Sequence, residues 1–296
     1  MDLPYYYGEQ EGWRKYAEGL IPIIILILIA VVLVGKTTNV FCTIPGLDAI
    51  LCGGGSTINI AVIGSLKAVD TNVSASNLQN LLDGELGRAC NMQYMEFAPE
   101  DLTYAKDTLL KNYDLVILTG ERNYTRPVRE AIETYLKAGG KMVLIGDAAT
   151  KDPDDLLYNG WGHIGVPIQL RTTGTLIPEK VLTNAQLKVV DINHPIVVGY
   201  GFKLNLSEID GDKLGCGVVG TQISVIDVNP IQGGTILVIS GVDSATGSER
   251  TIPAVVEQKS LMGGKIYYFA MDPGCMSNMW ISTVQEITGK QTCVVG

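Results

Sequence analysis

Two carboxylates and one histidine stand where this sequence could support acid–base chemistry. Glu121 and Asp147 each follow a predicted buried strand, and His163 lies in the loop after Asp147. Side chains at the carboxyl ends of neighbouring parallel strands lie on the usual ligand side of such a sheet. There, two carboxylates could share a proton or hold a metal ion through oxygen ligands. We therefore name Asp147, Glu121 and His163 as candidate catalytic residues.

Each candidate also has a structural interpretation. Asp147 could cap a following helical segment, because a carboxylate accepts hydrogen bonds from the free N–H groups that begin a helix. His163 could be a hydrogen-bonded loop residue. The chain has only two histidines, and the other, His194, lies before Pro195 in a stretch that indicates a turn. The glycine run at 53–55 precedes a strand instead of following one, so it does not predict a nucleotide loop. We expect no cofactor.

Short apolar segments alternate with amphipathic ones between residues 57 and 146, and this alternation must position the candidates. The predicted strands are 58–64, 92–97, 113–120 and 141–146, and the predicted helices are 76–87, 99–111 and 126–138. Ser74 or Ser76 is the expected N-cap of the first helix, and Pro127 suits the first turn of the third. Such an order predicts parallel strands joined by right-handed crossovers. The predicted fold class is α/β, with a doubly wound, flavodoxin-like parallel sheet.

The remainder of the chain, from about residue 150, is rich in predicted strands. They are 166–170, 181–190, 217–226, 235–241, 254–259 and 265–271, followed by a closing helix at 280–288. We interpret residues 57–296 as one domain with insertions, since this length is sufficient for a single buried core.

An uncharged run at 19–35, apolar throughout 21–34 apart from Pro22, predicts a transmembrane helix. The expected organisation is a cytoplasmic N-terminus at 1–18, a membrane span at 19–36, a tether at 37–56 and an extracytoplasmic domain at 57–296. Arg14 and Lys15 precede the run and only Lys36 closely follows it, which favours this orientation. A helix packed within a protein oligomer is the main alternative. The expected localisation is therefore a single-pass protein of the cell membrane.

All six cysteines follow this run, which is typical of an oxidising compartment. Cys42 and Cys52 bracket a loop that contains proline and glycine, and they are the predicted local disulfide. Six reduced cysteines in a core are the alternative. Three sequons, at Asn72, Asn123 and Asn205, are candidate glycosylation sites. The formal net charge of −9 argues against nucleic-acid binding, because no basic stripe is present to neutralise phosphates.

The strand–helix–strand stretch at 113–146 resembles class I glutamine-amidotransferase-like proteins. It is most similar to the branch with trehalose-utilisation-type and membrane-associated amidotransferase-like domains. The Asn-His-Pro-Ile-Val stretch at 193–197 and the Gly-Gly-Lys-Ile-Tyr-Tyr-Phe-Ala-Met-Asp-Pro-Gly stretch at 263–274 resemble the same branch. The resemblance covers roughly residues 57–288. It implies a flavodoxin-like core and a nucleophilic cysteine on a tight turn after the fourth strand.

This chain departs from that pattern at the nucleophile. The turn reads Ile145-Gly146-Asp147-Ala148-Ala149, so Asp147 takes the place of the cysteine. In the catalytic proteins that this stretch resembles, a strained turn from strand to helix exposes the cysteine sulfur beneath the N–H groups of the helix. These N–H groups lower the pKa of the thiol. The resemblance therefore implies a non-catalytic member that acts as a binding or scaffold subunit of a cell-envelope assembly. Its expected partners are the membrane, other envelope subunits and possible glycans. Two alternatives stay open: an envelope hydrolase acting on sugars, and a structural subunit of a surface filament or layer.

Overall fold

The computed structural model describes residues 57–290 with gaps at 68–69, 154, 172–178, 199–222, 232 and 260–263, and also Pro22 and Leu26. The chain divides into two compact units, Met1–Ser56 and Thr57–Gly296. All the described residues from 57 onwards belong to the second unit. The predicted Cys42–Cys52 disulfide lies outside the described residues, as does the sequon at Asn205.

The described strands of the second unit are β1 (Ile58–Gly64), β2 (Met92–Phe97), β3 (Leu115–Thr119), β4 (Lys141–Ile145), β5 (Lys151–Asp152), β6 (Asp155–Asn159), β7 (Ile168–Leu170), β8 (Glu179–Val189), β9 (Ile223–Ile226), β10 (Val228–Pro230), β11 (Gly233–Asp243), β12 (Glu249–Lys259) and β13 (Lys265–Phe269). Three of them, β8, β11 and β12, have 11 residues each, and the other described strands have two to seven.

A nine-stranded sheet organises the described residues, in the order β2-β1-β3-β4-β13-β12-β11-β8-β9. The first five strands of this order pair in parallel, and the rest pair antiparallel. The prediction of an α/β fold with a strand-rich C-terminal part is confirmed, but the large sheet is mixed parallel and antiparallel, so the predicted doubly wound, flavodoxin-like parallel sheet is not confirmed. β13 extends the parallel half beside β4 and then pairs with β12, which runs in the opposite direction. The mixed sheet results from this shared strand.

The helices are α1 (Ser76–Asp83), α2 (Glu85–Ala89), α3 (Asp101–Leu110), α4 (Arg126–Lys137), α5 (Pro195–Val198) and α6 (Ser277–Thr288). The helix predicted at 76–87 is divided at Gly84, which has an extended conformation. Pro127 lies in the first turn of α4, as predicted. β1, β3 and β4 are almost entirely buried, since helices cover the parallel half of the sheet.

No helix among the described residues is long and apolar enough to cross a bilayer. Each of the two longest, α4 and α6, has 12 residues, whereas a span needs about 20. This finding contradicts the predicted localisation as a single-pass membrane protein. The predicted span at 19–36 lies outside the described residues, apart from Pro22 and Leu26.

Candidate functional site

The switch point of the parallel half lies between β1 and β3, and a glycine stands at the exit of each strand. Gly64 ends β1 with a φ of +100°, and Gly120 follows β3 with a φ of +78°. A Cβ on Gly64 would lie 2.0 Å from the Thr119 carbonyl oxygen, and one on Gly120 would lie 2.1 Å from the Ser65 carbonyl oxygen. Ligands of doubly wound sheets usually bind at such a switch point. In this chain a side chain at either glycine would collide with the backbone of the facing segment.

Asp147 joins the exits of β1, β3 and β4. Its side chain is fully buried. One carboxylate oxygen accepts the Asn72 backbone N–H at 2.9 Å, and the other accepts Arg122 Nε at 2.5 Å. Arg122 also donates from Nη2 to the side-chain oxygen of Asn72. The residues that hold this carboxylate are Asn72 and Arg122, and neither Glu121 nor His163 is among them.

The electrostatics of Asp147 reflect two opposing influences. Burial raises the pKa of its carboxyl group, while the Asn72 amide and the Arg122 guanidinium oppose that rise. Both carboxylate oxygens are occupied by hydrogen bonds within the protein. A general acid or base must instead reach a reacting group through a free oxygen or a bridging water. The arrangement therefore favours a structural role for Asp147.

The segment after Asp147 is a turn followed by the β5–β6 hairpin, and not a helix. The interpretation of Asp147 as the cap of a following helix is therefore wrong. Ala149 adopts a left-handed φ of +56°, and its N–H donates to the Glu121 carbonyl oxygen at 2.9 Å. Lys151 N–H donates to the Arg122 carbonyl oxygen at 3.0 Å. No helix begins directly after this turn, so it lacks the helix N–H groups that would lower the pKa of a nucleophile.

Glu121 interacts with other acidic residues instead of with Asp147. Burial raises the pKa of its carboxyl group, and the nearby charges of Glu100 and Asp70 raise it further. The described residues contain no group of three or more histidine, cysteine or acidic side chains that could hold a metal ion. Asp147 is thus bonded to Asn72 and Arg122, whereas the charges named beside Glu121 are those of Glu100 and Asp70.

His163 lies in a short 3-10 turn, Gly162–Ile164, that packs against α4. Trp161, its neighbour, makes the contact with the turn after β4. The indole Nε1–H of Trp161 donates to the Ala148 carbonyl oxygen at 2.6 Å, and its ring meets Tyr268 edge-on at 5.4 Å. The sequence reasoning overlooked this buried tryptophan, which fixes the turn in place.

Asp272 was also overlooked, although Asp before Pro-Gly is a turn signal. Its carboxylate accepts N–H groups from Asn77 at 2.7 Å, from Leu78 at 3.1 Å and from Gly274 at 2.9 Å. The first two begin α1. The residue at the N-cap position is Ala75, and not the expected Ser74 or Ser76. The N-terminus of α1, at the exit of β1, is therefore occupied by the protein's own carboxylate.

Neither of the two described cysteines belongs to the turn after β4, and neither is a free thiol. Cys90 precedes β2, whereas Cys275 lies in the turn at Pro273–Met276, with its sulfur 3.7 Å from Asn77 Nδ2.

The two described sequons differ. The Asn72 side chain is engaged by Arg122, whereas Asn123 is exposed and donates from Nδ2 to Asp70 at 3.2 Å.

A separate pocket of about 240 Å³ lies at the opposite, amino-terminal edge of the sheet. It is lined by Lys111, Tyr113, Asp114, Tyr135, Ala138, Gly139, Gly140 and Lys141. None of the three candidate residues contributes to this pocket.

Comparison with known proteins identifies structural neighbours but no sequence family. No family model matches the chain, and no curated protein matches it. A ThuA-like protein from Bacteroides uniformis superposes with a TM-score of 0.51 at 13% identity, over 79% of this chain and 94% of that one. A ThuA-like protein from Parabacteroides merdae gives 0.48 at 15% identity, over 81% and 93%.

A β-galactosidase from Bacillus circulans sp. alkalophilus gives a TM-score of 0.48 at 14% identity, over 79% of this chain. This chain covers only 32% of that enzyme. At such identities the likeness concerns the fold alone. The structural neighbours of this chain thus include ThuA-like proteins, which are glutamine-amidotransferase-like.

Proposed function

We propose that this chain is a non-catalytic domain of ThuA-like fold that acts as a binding or scaffold subunit. The observation that carries the proposal is the Asp147 carboxylate, which stands where the resemblance implies a cysteine. It is fully buried and bonded to Asn72 and Arg122. A nucleophile needs an exposed position beside a base, and Asp147 has neither.

Two further features of the same sheet edge support the proposal. The exits of β1 and β3 lie close together, since a side chain at Gly64 or Gly120 would collide with the backbone of the facing segment. The N-terminus of α1, where an anionic ligand would otherwise find free N–H groups, is occupied by Asp272. The Asp147 carboxylate and the first N–H groups of α1 are thus bonded within the protein. A function that depends on contacts elsewhere on the surface is compatible with this arrangement.

The first experiment tests for chemistry. The purified chain, Asp147→Asn and the matched control Asp101→Asn are assayed for hydrolysis of aryl glycosides and of glutamine. Asp101 is an exposed acid at the start of α3. We expect none of the three proteins to exceed the buffer blank. Turnover by the wild type that disappears in Asp147→Asn and persists in Asp101→Asn would overturn the proposal in favour of a hydrolase.

The second experiment tests the subunit role. The chain is purified under native conditions from its own source, and its particle mass is measured by light scattering. We expect a particle of fixed stoichiometry that contains a second polypeptide. A monodisperse monomer at its natural concentration would contradict the subunit role, whatever the first assay shows.

A further inference from the structure

β2 is an edge strand of the nine-stranded sheet, and within the described part of the chain its only neighbour is β1. The Ile58 N–H donates to the Asn91 carbonyl oxygen at 3.0 Å, which sets the phase of the hydrogen bonds between the two strands. In a parallel pair, every second residue of a strand directs its N–H and C=O groups to the same neighbour. The residues of β2 that bond to β1 are therefore Gln93, Met95 and Phe97. The residues whose backbone groups point outwards are Met92, Tyr94 and Glu96.

The outer edge of β2 lacks the features that usually prevent pairing between sheets. Natural edge strands are blocked by lysine or proline, by a bulge, or by a covering segment. This strand reads Met-Gln-Tyr-Met-Glu-Phe, and its register with β1 is continuous. Its one charged residue, Glu96, accepts the Leu66 N–H of the same chain at 3.1 Å. The outward N–H and C=O groups of β2 are therefore in a position to bond to a further strand.

The side chains of β2 alternate between the two faces of the sheet. The Tyr94 hydroxyl donates to Asp83, at the end of α1, at 2.9 Å. On the opposite face, the Met95 sulfur lies 3.7 Å from the Tyr113 hydroxyl, and Met95 is still 55% exposed. Gln93, on the same face as Met95, is also exposed. A strand added to this edge would meet a tyrosine on one face and two uncharged side chains on the other.

We propose that β2 pairs antiparallel with β2 of a second copy of this chain, about a two-fold axis at Tyr94. Residues that oppose each other in an antiparallel pair exchange two hydrogen bonds when both point towards the partner strand. The three outward residues must therefore oppose one another. The axis at Tyr94 uses all of them, because Tyr94 then opposes Tyr94 of the second copy and Met92 opposes Glu96. A two-fold axis gives both copies the same contacts, as is usual in homodimers.

The charges in this register favour a second copy as the occupant. Glu96 lies opposite Met92, and the two Glu96 side chains are offset along the paired strands by about 14 Å. This offset exceeds the screening length of about 8 Å at physiological ionic strength. On the other face, Gln93 opposes Met95 of the second copy, so no like charges meet there either. The pairing needs only this chain and is independent of the proposed subunit role.

Hydrogen exchange of the purified full chain tests the pairing, with particle mass measured in parallel by sedimentation. The amides of Tyr94 and Glu96 point outwards, whereas those of Gln93 and Met95 bond to β1. We expect the protection of Tyr94 and Glu96 to rise with the dimer fraction as concentration increases over about a hundredfold range. Gln93 and Met95 are the internal reference and should change much less.

The mass and the exchange together decide the outcome. A monomer at every concentration would overturn the proposal, whatever the exchange at Tyr94 and Glu96. A dimer in which these two amides stay as open as in the monomer would also overturn it, because the contact would then lie elsewhere on the surface.

Two double variants test the register itself. Gln93→Lys with Met95→Lys sets lysines opposite each other on both sides of Tyr94, whereas Gln93→Glu with Met95→Lys sets opposite charges at the same places. Because both variants replace Met95 by lysine, the lost contact with Tyr113 is matched between them. We expect the dissociation constant of the first dimer to exceed that of the second by about tenfold. Equal dissociation constants would overturn the axis at Tyr94.

Discussion

Arg122 and Asp147 form an ion pair in which the carboxylate is fully buried and the guanidinium side chain is 16% exposed. The pair connects the exit of β3 to the exit of β4, and Asn72 adds the exit of β1 through its own N–H and side-chain oxygen. A buried carboxylate without a cation is costly, so the three exits depend on one another. The candidate site is therefore a structural junction that spans three strands.

Arg122→Met should destabilise the protein strongly, because it leaves Asp147 buried without its cation. We expect a loss of about 3–5 kcal/mol in the free energy of unfolding, measured by urea denaturation. Arg126→Met is the matched control, since Arg126 and Glu130 form an exposed pair on α4. The control should cost less than about 1 kcal/mol. Equal losses in the two variants would show that the buried pair has no special role.

The loss in Arg122→Met should shrink as the pH falls. Burial already raises the folded-state pKa of Asp147, and removal of the opposing cation raises it further. A raised folded pKa gives stability that is fully present below the unfolded pKa, near 4, and is lost as pH rises through the folded pKa. The difference between variant and wild type should therefore be larger at pH 7.5 than at pH 4.5. A difference independent of pH would contradict this account.

Asp272→Ala should destabilise the start of α1, because three backbone N–H groups lose their acceptor. The expected loss is about 2–4 kcal/mol, combining a lost cap with buried unsatisfied donors. Asp272→Asn keeps one acceptor oxygen, so its stability should lie between that of the wild type and that of Asp272→Ala. Hydrogen exchange at Asn77 and Leu78 reports the change directly. Unchanged protection at these amides would rule out the capping role.

Gly120→Ala should be far more damaging than Gly139→Ala, although both glycines have a positive φ. A Cβ on Gly120 would lie 2.1 Å from the Ser65 carbonyl oxygen, whereas one on Gly139 meets nothing within 4 Å. Gly139→Ala should cost about 1–2 kcal/mol through its backbone conformation alone. Gly120→Ala adds a collision with the backbone, so its loss of stability, measured by thermal or urea unfolding, should be larger than that of Gly139→Ala. Similar losses would mean that the exits of β1 and β3 can separate.

The parallel half of the fold could be predicted from local patterns. The helices predicted at 99–111 and 126–138 occur at Asp101–Leu110 and Arg126–Lys137. Strands such as Lys141–Ile145 are apolar runs that end at glycine, and these signals lie within a few neighbouring residues. The β5–β6 hairpin was missed, since its short strands carry charged residues and no clear alternation.

The amino-acid sequence by itself determined the strand–helix alternation and the presence of an acid instead of a thiol after β4. Both can be seen in residues that are neighbours along the chain. Only the tertiary structure decided what that acid does. Asn72 and Arg122 lie 75 and 25 residues from Asp147, and Asp272 lies 195 residues from the Asn77 amide that it caps. Such hydrogen bonds have no local signature, since they form only when the carboxyl ends of separate strands are brought to one edge of the sheet.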